Sequence, residues 1–268
     1  MINVSIVLYK NTFDEVSSLV GVLTKFKDIN CIYLIDNSPV ENSHFEKLPV
    51  NYIFNNKNLG YGTAHNIALR ETLDNDVSYH LVLNPDITLE VSALTDIVNF
   101  MDNNSDIGQL MPKILYPDGE IQYLCKLLPS PLDLIFRRFL PGGWTKKSNS
   151  RFELRTSGYN KIMNVPYLSG CFMFLRTDAL RETGLFDERF FMYPEDIDLT
   201  RRIHLKYRTV FYPNVSIIHN HARGSYKTGR LLWIHLTNLI KYFNKWGWFS
   251  DKERKKINEK TLKMILHS

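Results

Sequence analysis

Cysteine is scarce in this chain, which has three cysteines among 268 residues. Cys31, Cys125 and Cys171 have neither the even number of a disulfide framework nor the close spacing of a metal knuckle. The chain also lacks any run of about 20 apolar residues, the length that a membrane-spanning helix needs. Its first residues carry no basic region and no long apolar run, so we expect a first strand there and no secretion signal. These absences favour a protein of a reducing cytoplasm.

The composition is that of a globular protein, with 44% apolar and 23% charged residues. The length allows one large domain, or one domain with an appendage, to bury a sizeable core. The net charge of +5 is mild, and no recognised nucleic-acid-binding module accompanies it, so no nucleic-acid partner is expected.

Three carboxylates stand close together directly after an aromatic run at residues 190–193 and a proline. They are Glu195, Asp196 and Asp198, and an amphipathic helical pattern follows them. A solvated acidic turn that caps a helix is the simpler interpretation, since proline and acids suit a helix start. The aromatic run favours burial instead, and a buried carboxylate can have its pKa moved toward that of a general base. This stretch is the first candidate for chemistry.

The first part of the chain alternates strand and helix patterns, which predicts parallel strands joined by right-handed crossovers. Thr12 and Glu15 form a capping-box signal at the first helix. The predicted strands are 4–9, 31–35, 52–54, 79–83 and 107–115, and the predicted helices are 12–26, 62–73 and 88–101. A later apolar segment, 165–175, and a last strand, 209–218, complete the pattern.

Polar residues follow several of these strands, at the edge where such sheets bind ligands. Asp36, Asp86 and the glycine-bearing loop 55–66 all lie there, so one shared site is expected. The loop has His65 where a dinucleotide fingerprint has its third glycine, and a plain turn and a ligand loop are equally good interpretations. Asp86 is either a turn residue or a ligand of Mg²⁺ or Mn²⁺, with a diphosphate supplying further oxygens.

Later segments offer weaker candidates. Residues 104–165 are broken by prolines and are basic in the middle, which indicates an insertion on the ligand side of the sheet. Cys171 is interpreted as a buried structural cysteine rather than a nucleophile. His219 and His221 are either simply hydrogen-bonded or, with Arg223, ligands of a metal and a phosphate.

The segment after residue 228 combines aromatic and basic residues, and two interpretations remain open. One is a helix that packs on the domain with a basic outer face. The other is an interfacial helix, with aromatic side chains at headgroup depth and basic ones against anionic lipid. The residues of the second interpretation are Trp233, Trp246, Trp248, Lys241, Lys245 and the basic cluster 252–256.

Taken together, the ordered motifs resemble family-2 inverting glycosyltransferases, most closely the bacterial rhamnosyltransferase type that builds O-antigen and capsule. The resemblance implies the α/β GT-A fold, a Rossmann-like mixed sheet flanked by helices, over residues 1–227 with an insertion at about 116–164. A basic amphipathic helical tail would then occupy 228–268. The motifs, in order, are Asp36, the loop from Asn58 to Asn66, Asn84-Pro85-Asp86, Ser169-Gly170, Gly184-Leu185-Phe186-Asp187-Glu188, Glu195-Asp196 and His219 with His221.

The same resemblance implies roles for individual residues. Asp196, beside Glu195, would be the catalytic base, and Asp36 would bind the nucleotide base. Asp86 stands where the family has the last acid of its metal-binding triplet, although Asn84 and Pro85 replace the other acids. A divalent cation, Mg²⁺ or Mn²⁺, would be held by Asp86 and by His219 or His221. Donor-binding residues would be Asp36, Asn58, Gly60, Asn66, Asn84 and Arg223.

The implied reaction transfers a sugar from a dTDP-rhamnose-like or UDP-sugar donor to a hydroxyl of a glycan or polyprenyl-diphosphate-linked saccharide. We expect a cytoplasmic protein, peripheral on the inner face of the cell membrane if its tail binds anionic lipid. Two alternatives belong to other classes. A nucleotide-sugar-binding or scaffold protein of the same fold would lack turnover, and a nucleotidyltransferase would need a basic glycine-rich N-terminal loop that this chain does not have.

Overall fold

A computed structural model describes residues 1–133, 149–220 and 229–267. In these ranges the strands are β1 (Ile2–Leu8), β2 (Ile29–Asp36), β3 (Asn51–Phe54), β4 (Tyr79–Leu83), β5 (Ile87–Thr88), β6 (Ile107–Leu115), β7 (Cys125–Lys126), β8 (Met163–Asn164), β9 (Tyr167–Leu168), β10 (Phe172–Arg176) and β11 (Arg208–His219). The α-helices are α1 (Phe13–Leu23), α2 (Tyr61–Asp74), α3 (Val91–Asp102), α4 (Thr177–Thr183), α5 (Glu195–His204), α6 (Gly229–Trp246) and α7 (Lys252–His267). Short 3-10 helices occupy Ser43–Lys47 and Arg155–Ser157.

One mixed sheet organises the described chain, with the strand order β3-β2-β1-β4-β10-β6-β11-β5 and β8 beside β11. Strands β1 to β4 are parallel, as the alternation of strand and helix predicts. Their apolar runs are buried because helices cover a parallel sheet on both faces. Strand β10 is antiparallel to both β4 and β6, so the sheet is mixed, as the resemblance implies. The chain enters β10 from the irregular segment before it, so no helical crossover fixes its direction.

The capping box predicts the start of the first helix correctly, whereas the predicted start of the third helix is wrong. The Thr12 hydroxyl accepts from the Glu15 N–H and the Glu15 carboxylate accepts from the Thr12 N–H, so the predicted capping box is present. The predicted start of the third helix at Thr88 is wrong, because α3 begins at Val91. Residues Ile87 and Thr88 form β5, which pairs with the end of β11.

A buried polar network joins α2 to the sheet. The Ser5 hydroxyl lies 2.7 Å from His65 Nδ1 and 2.8 Å from His80 Nε2, and His80 Nδ1 lies 2.7 Å from the Thr72 hydroxyl. Burial lowers the pKa of His80 to about 3, so this imidazole is neutral at physiological pH. His65, which stands in place of the third fingerprint glycine, therefore has a packing role at the start of α2.

Helices α6 and α7 pack on α5, which carries the acidic stretch. Asp198 is fully buried and accepts from Arg202 Nε at 2.9 Å, Trp246 Nε1 at 2.7 Å and Lys245 Nζ at 2.7 Å. Packing on the domain is thus the correct interpretation for Trp246 and Lys245. The apolar residues of this junction are Leu128, Tyr167, Phe190, Ile197, Leu239, Tyr242 and Phe243, flanked by Trp246, Trp248 and Ile257.

Other parts of the tail still face solvent. Trp233 is 69% exposed and Phe249 is 78% exposed. Lys252, Lys255 and Lys256 are exposed on α7, whereas Arg254 in the same basic cluster is buried. No helix in the described part of the chain is long and apolar enough to cross a membrane.

Candidate active site

The candidate residues converge at the carboxyl ends of β2, β4 and β11 and at the start of α5. Asp36 is the last residue of β2 and is buried. Its Oδ2 accepts from the Tyr52 hydroxyl at 2.9 Å and its Oδ1 from the Ser38 N–H at 2.8 Å. Burial and the hydrogen bond to Asp36 raise the pKa of Tyr52 above its ordinary value. A cavity of about 380 Å³ opens beside this carboxylate, lined by Lys10, Asn11, Asp36, Ser38, Pro39, Val40, Asn42 and Phe45.

The loop before α2 is held by hydrogen bonds within the site and by a close backbone contact with the segment that precedes the acids. Asn58 Oδ1 accepts from the Gly60 N–H at 2.9 Å, while Asn37 Nδ2 donates to the Gly60 carbonyl at 3.2 Å. Gly60 has φ +85°, and a Cβ there would lie 2.3 Å from the Phe191 carbonyl oxygen. That same oxygen accepts from the Tyr61 N–H at 3.0 Å. Only glycine fits this contact, both for its φ and for the space available.

Asn66 is buried on α2, and its amide holds the loop that precedes the acidic stretch. Its Nδ2 donates to the Phe186 carbonyl at 2.9 Å and to Glu188 Oε1 at 3.0 Å, and its Oδ1 accepts from the Phe186 N–H at 3.0 Å. The motif at residues 184–188 is therefore joined to α2 by this amide. The donor-binding role assigned to Asn66 stays a prediction.

Asp86 and His219 meet because β5 pairs with the end of β11, which sets Ile87 opposite His219. Asp86 Oδ1 and His219 Nε2 are 3.3 Å apart, close to the separation of about 3 Å between adjacent ligands bound at about 2.1 Å in an octahedral shell. The pair fits a divalent cation whose other ligands are diphosphate oxygens and water. Within residues 1–133, 149–220 and 229–267 no group of three His, Cys, Asp or Glu side chains forms a complete metal site. His221 and Arg223 lie outside the described residues.

Gln122 is a site residue that the sequence analysis missed. It lies after β6 and is 4% exposed. Its Oε1 is 2.9 Å from His219 Nδ1, and its Nε2 donates to the His219 carbonyl at 2.8 Å. An isolated glutamine in a proline-broken segment carries no local signal, and only the fold brings it to the histidine.

The acidic stretch is buried, as the preceding aromatic run indicates. Asp196 Oδ2 accepts from the Gly170 N–H at 2.9 Å and Oδ1 from the Ile197 N–H at 2.8 Å. Burial raises the pKa of Asp196 to about 6. Burial and the adjacent Asp196 charge raise the pKa of Glu195 well above its ordinary value. Glu195 Oε2 is buried with no hydrogen-bond partner among the described residues. Glu195 is therefore the better proton holder of the two and Asp196 the better base.

Tyr61 connects the two halves of the site. Its hydroxyl is 2.6 Å from the Gly170 carbonyl and 3.2 Å from Asn84 Oδ1, and Asn84 Nδ2 lies 3.4 Å from His219 Nε2. Burial, with added repulsion from Asp86, Glu195, Asp196 and Cys171, raises the pKa of Tyr61 well above its ordinary value, so it stays a neutral phenol. Burial also raises the pKa of Cys171 to about 12, which supports the structural interpretation of that thiol.

Two side chains of α6 donate hydrogen bonds to the turn that leads into the acids. Asn238 Nδ2 donates to the Met192 carbonyl at 3.0 Å, and Lys241 Nζ donates to the Arg189 carbonyl at 2.8 Å. Tyr193 has φ +92°, which is strained for a residue with a side chain. Such strain persists where the surroundings determine it, and it concentrates at functional sites.

Solved structures define the class to which this fold corresponds. GalNAc-T7, solved with UDP, GalNAc and Mn²⁺, aligns with a TM-score of 0.65 at 16% identity over 91% of this chain and 48% of that one. Residues 1–349 of S. aureus TarS, solved with UDP-GlcNAc, align with a TM-score of 0.61 at 15% identity over 97% of this chain and 71% of that one. The chain has the GT-A fold of these glycosyltransferases, as the motifs predict.

Sequence relatives narrow the class, although no protein-family model matches the chain. An N-acetylglucosaminyl-diphospho-decaprenol L-rhamnosyltransferase of Mycobacterium tuberculosis (strain ATCC 25618 / H37Rv) is 29% identical over 182 residues, 65% of this chain and 58% of that protein. Rhamnosyltransferase WbbL of Escherichia coli (strain K12) is 28% identical over 194 residues, 68% of this chain and 69% of WbbL. These relatives confirm the resemblance to family-2 transferases of the rhamnosyltransferase type. The chain spans 58% of the mycobacterial relative's length.

Proposed function

We propose that this chain is an inverting glycosyltransferase that moves a sugar from a nucleotide-sugar donor to a hydroxyl of a glycan or lipid-linked saccharide. The observation that carries the proposal is the placement of Asp196. A buried carboxylate, fixed by the Gly170 and Ile197 amides, is linked through Tyr61 and Asn84 to the Asp86–His219 pair. One side of the site is suited to remove a proton and the other to hold a diphosphate.

The proton transfer follows from the position of Asp196. The acceptor O–H gives its proton to Asp196 as its oxygen bonds to the anomeric carbon, and the bond from that carbon to the diphosphate oxygen breaks on the opposite face. Configuration at the anomeric carbon is therefore inverted. A base is most effective when its pKa lies near the working pH, and the raised pKa of Asp196 meets that condition better than an ordinary aspartate does.

Asp86 and His219 would hold a divalent cation, Mg²⁺ or Mn²⁺, against the donor diphosphate. When bound, such a cation neutralises charge that develops on the leaving diphosphate. GalNAc-T7 was solved with Mn²⁺, which supports a divalent cation here. On the donor side, the buried Asp36 carboxylate and the cavity beside it support a binding site for the nucleotide base, the role that the resemblance implies.

The rhamnosyltransferase relatives support a dTDP-rhamnose-like donor, with a UDP-sugar as the second choice. The mycobacterial relative, an N-acetylglucosaminyl-diphospho-decaprenol L-rhamnosyltransferase, supports a polyprenyl-diphosphate-linked saccharide as the acceptor class. A lipid-linked acceptor would place the enzyme at the inner face of the cell membrane. The exposed Trp233 and Phe249 and the lysines of α7 support contact with an anionic bilayer there.

Donor identity can be tested by protection against thermal unfolding, since a ligand of the folded state raises apparent stability by mass action. The parent chain is screened with dTDP-rhamnose, UDP-sugars and their parent nucleotides in the presence of Mn²⁺. The protecting donor is then assayed for slow hydrolysis and for transfer to a lipid-linked saccharide. We expect protection and turnover in the parent and protection without turnover in Asp196→Asn. Protection without turnover in the parent would instead identify a nucleotide-sugar-binding protein.

A further inference from the structure

Gln122 is bonded to His219 through both ends of its side-chain amide, and this arrangement bears on the proposed cation site. Its Nε2 faces two backbone carbonyls, those of His219 at 2.8 Å and Leu115 at 3.3 Å. Its Oε1 faces His219 Nδ1 at 2.9 Å. Gln122 is buried, so neither end can exchange its partners for solvent without cost.

The two carbonyls decide which way the amide points. A carbonyl oxygen only accepts, so it must face the NH₂ end of the glutamine, and the Oε1 end is left for the histidine. That oxygen also only accepts, so His219 Nδ1 must carry the hydrogen. A neutral imidazole has one N–H, so the lone pair is on Nε2, the nitrogen that lies 3.3 Å from Asp86 Oδ1.

We propose that Gln122 is a positioning residue for the divalent cation: it fixes the His219 tautomer and ring orientation that direct the Nε2 lone pair to the Asp86 side. The inference rests on the cation site of the proposed function. Partners that orient a ligating histidine typically change metal affinity by about 10- to 100-fold when removed. The donor bond from Nε2 to the His219 carbonyl also joins the end of β11 to the segment after β6, so Gln122 contributes to stability as well.

Two substitutions separate positioning from stability. Gln122→Met keeps the length of the side chain but removes both the acceptor for His219 Nδ1–H and the donor to the His219 carbonyl. Gln122→Glu keeps an acceptor for His219 Nδ1–H but turns carboxylate oxygen toward two backbone carbonyls, so it should be the less stable variant. Positioning therefore predicts that Gln122→Glu binds a cation more tightly than Gln122→Met despite unfolding more easily. A structural role alone predicts the opposite order.

Gln109 provides a matched control, because it is a buried glutamine on β6 whose amide has no hydrogen-bond partner among the described residues. Gln109→Met should leave cation affinity unchanged. Mn²⁺ is titrated into each full-length variant with UDP, and then with dTDP, and free Mn²⁺ is measured by electron paramagnetic resonance. Circular dichroism at the same temperature establishes that each variant is folded.

We expect a 10- to 100-fold weaker apparent Mn²⁺ affinity for Gln122→Met, a smaller loss for Gln122→Glu and parent-like affinity for Gln109→Met. If folded Gln122→Met binds Mn²⁺ as tightly as the parent, the positioning role is overturned while the cation site of the proposed function stands. A loss that is larger in Gln122→Glu than in Gln122→Met also overturns it, in favour of a structural role. A parent chain that binds no Mn²⁺ with either nucleotide overturns the cation site of the proposed function together with this inference.

Discussion

Arg201 of α5 and Asp251, the residue before α7, form a buried two-point ion pair. Arg201 Nη1 lies 2.7 Å from Asp251 Oδ2, and Nη2 lies 2.9 Å from Oδ1, with the two side chains 0% and 3% exposed. The guanidinium also stacks 4.0 Å from the centroid of the Trp246 ring. The helix that carries Asp196 is therefore joined to the tail by a buried ion pair, and removal of either charge should destabilise the fold.

Breaking this pair should destabilise the fold. Asp251→Asn leaves the buried Arg201 charge with only the half-exposed Glu253 carboxylate, 3.3 Å from Nη2. The expected loss in the free energy of unfolding is therefore at the lower end of about 3–5 kcal/mol. Urea denaturation monitored by circular dichroism measures it. Asp76→Asn is the control, because Asp76 pairs with Arg181 in an exposed ion pair, and exposed pairs contribute only about 0–1 kcal/mol. Similar losses for the two variants would contradict the buried coupling.

Asp196→Asn should retain the fold and donor protection while transfer falls by at least about 100-fold, the usual effect of removing a general base. The parent rate should also fall as the pH drops through about 6, because protonation of Asp196 removes the base. Initial rates of donor consumption with acceptor present, measured across pH, test both points. Asp178→Asn, which alters an exposed aspartate, is the control. Near-parent transfer by folded Asp196→Asn would remove this residue from the mechanism.

Glu195 should destabilise the fold at higher pH. Its folded pKa is raised, so the folded state holds a proton that the unfolded state releases above about pH 4.3. Stability must then fall as pH rises from the unfolded toward the folded pKa. Glu195→Gln removes this cost, so its Tm should exceed that of the parent by a margin that grows as the pH rises above 5. Thermal unfolding at several pH values measures the difference, and parallel curves for the two proteins would contradict it.

Asp86→Ala should weaken cation-dependent donor binding more than it weakens the fold, because Asp86 lies at the rim of the sheet beside His219. Donor protection is compared with and without Mn²⁺, and the Tm of the ligand-free proteins is the control for stability. In the parent, removal of divalent cations should abolish transfer, and added Mn²⁺ or Mg²⁺ should restore it. Full activity after complete chelation would refute the cation assignment.

The basic face of α7 should bind anionic bilayers. Basic residues near such a surface contribute on the order of 1 kcal/mol each, so charge reversal of Lys252, Lys255 and Lys256 should reduce co-sedimentation with acidic liposomes. Binding by the parent should weaken as salt increases. A variant with the same charge change at other exposed lysines controls for net charge, and its substitutions are Lys25→Glu, Lys27→Glu and Lys57→Glu. If the α7 variant co-sediments with acidic liposomes as well as the parent does, the basic face of α7 does not bind the bilayer and is only solvated.

The sequence was most informative where structure is local. The predicted bounds of β4 and β6 match the structure to the residue, and the Thr12–Glu15 pair predicted the start of α1. The aromatic run before Glu195 correctly indicated that the acids are buried. These features depend on neighbours within a few residues, and short patterns report such neighbours well.

Long-range relationships could not be predicted in this way. The antiparallel direction of β10 depends on how the chain returns to the sheet, and the Gln122–His219 contact joins residues 97 positions apart. The tail shows the same limit, because residues of the same type in it have different roles. Trp246 bonds the buried Asp198, whereas Trp233 faces solvent, and only the docking of α6 on α5 separates them.

The contact between Gly60 and the Phe191 carbonyl has a consequence for protein engineering. Because the loop before α2 and the turn before the acids share one backbone junction, neither can be exchanged on its own. A chimera that takes residues 55–66 from a relative with another donor sugar, but keeps residues 189–194, joins two surfaces that did not evolve together. Crossover points for recombination therefore belong outside both segments, so that the loop and the turn are inherited as a single block.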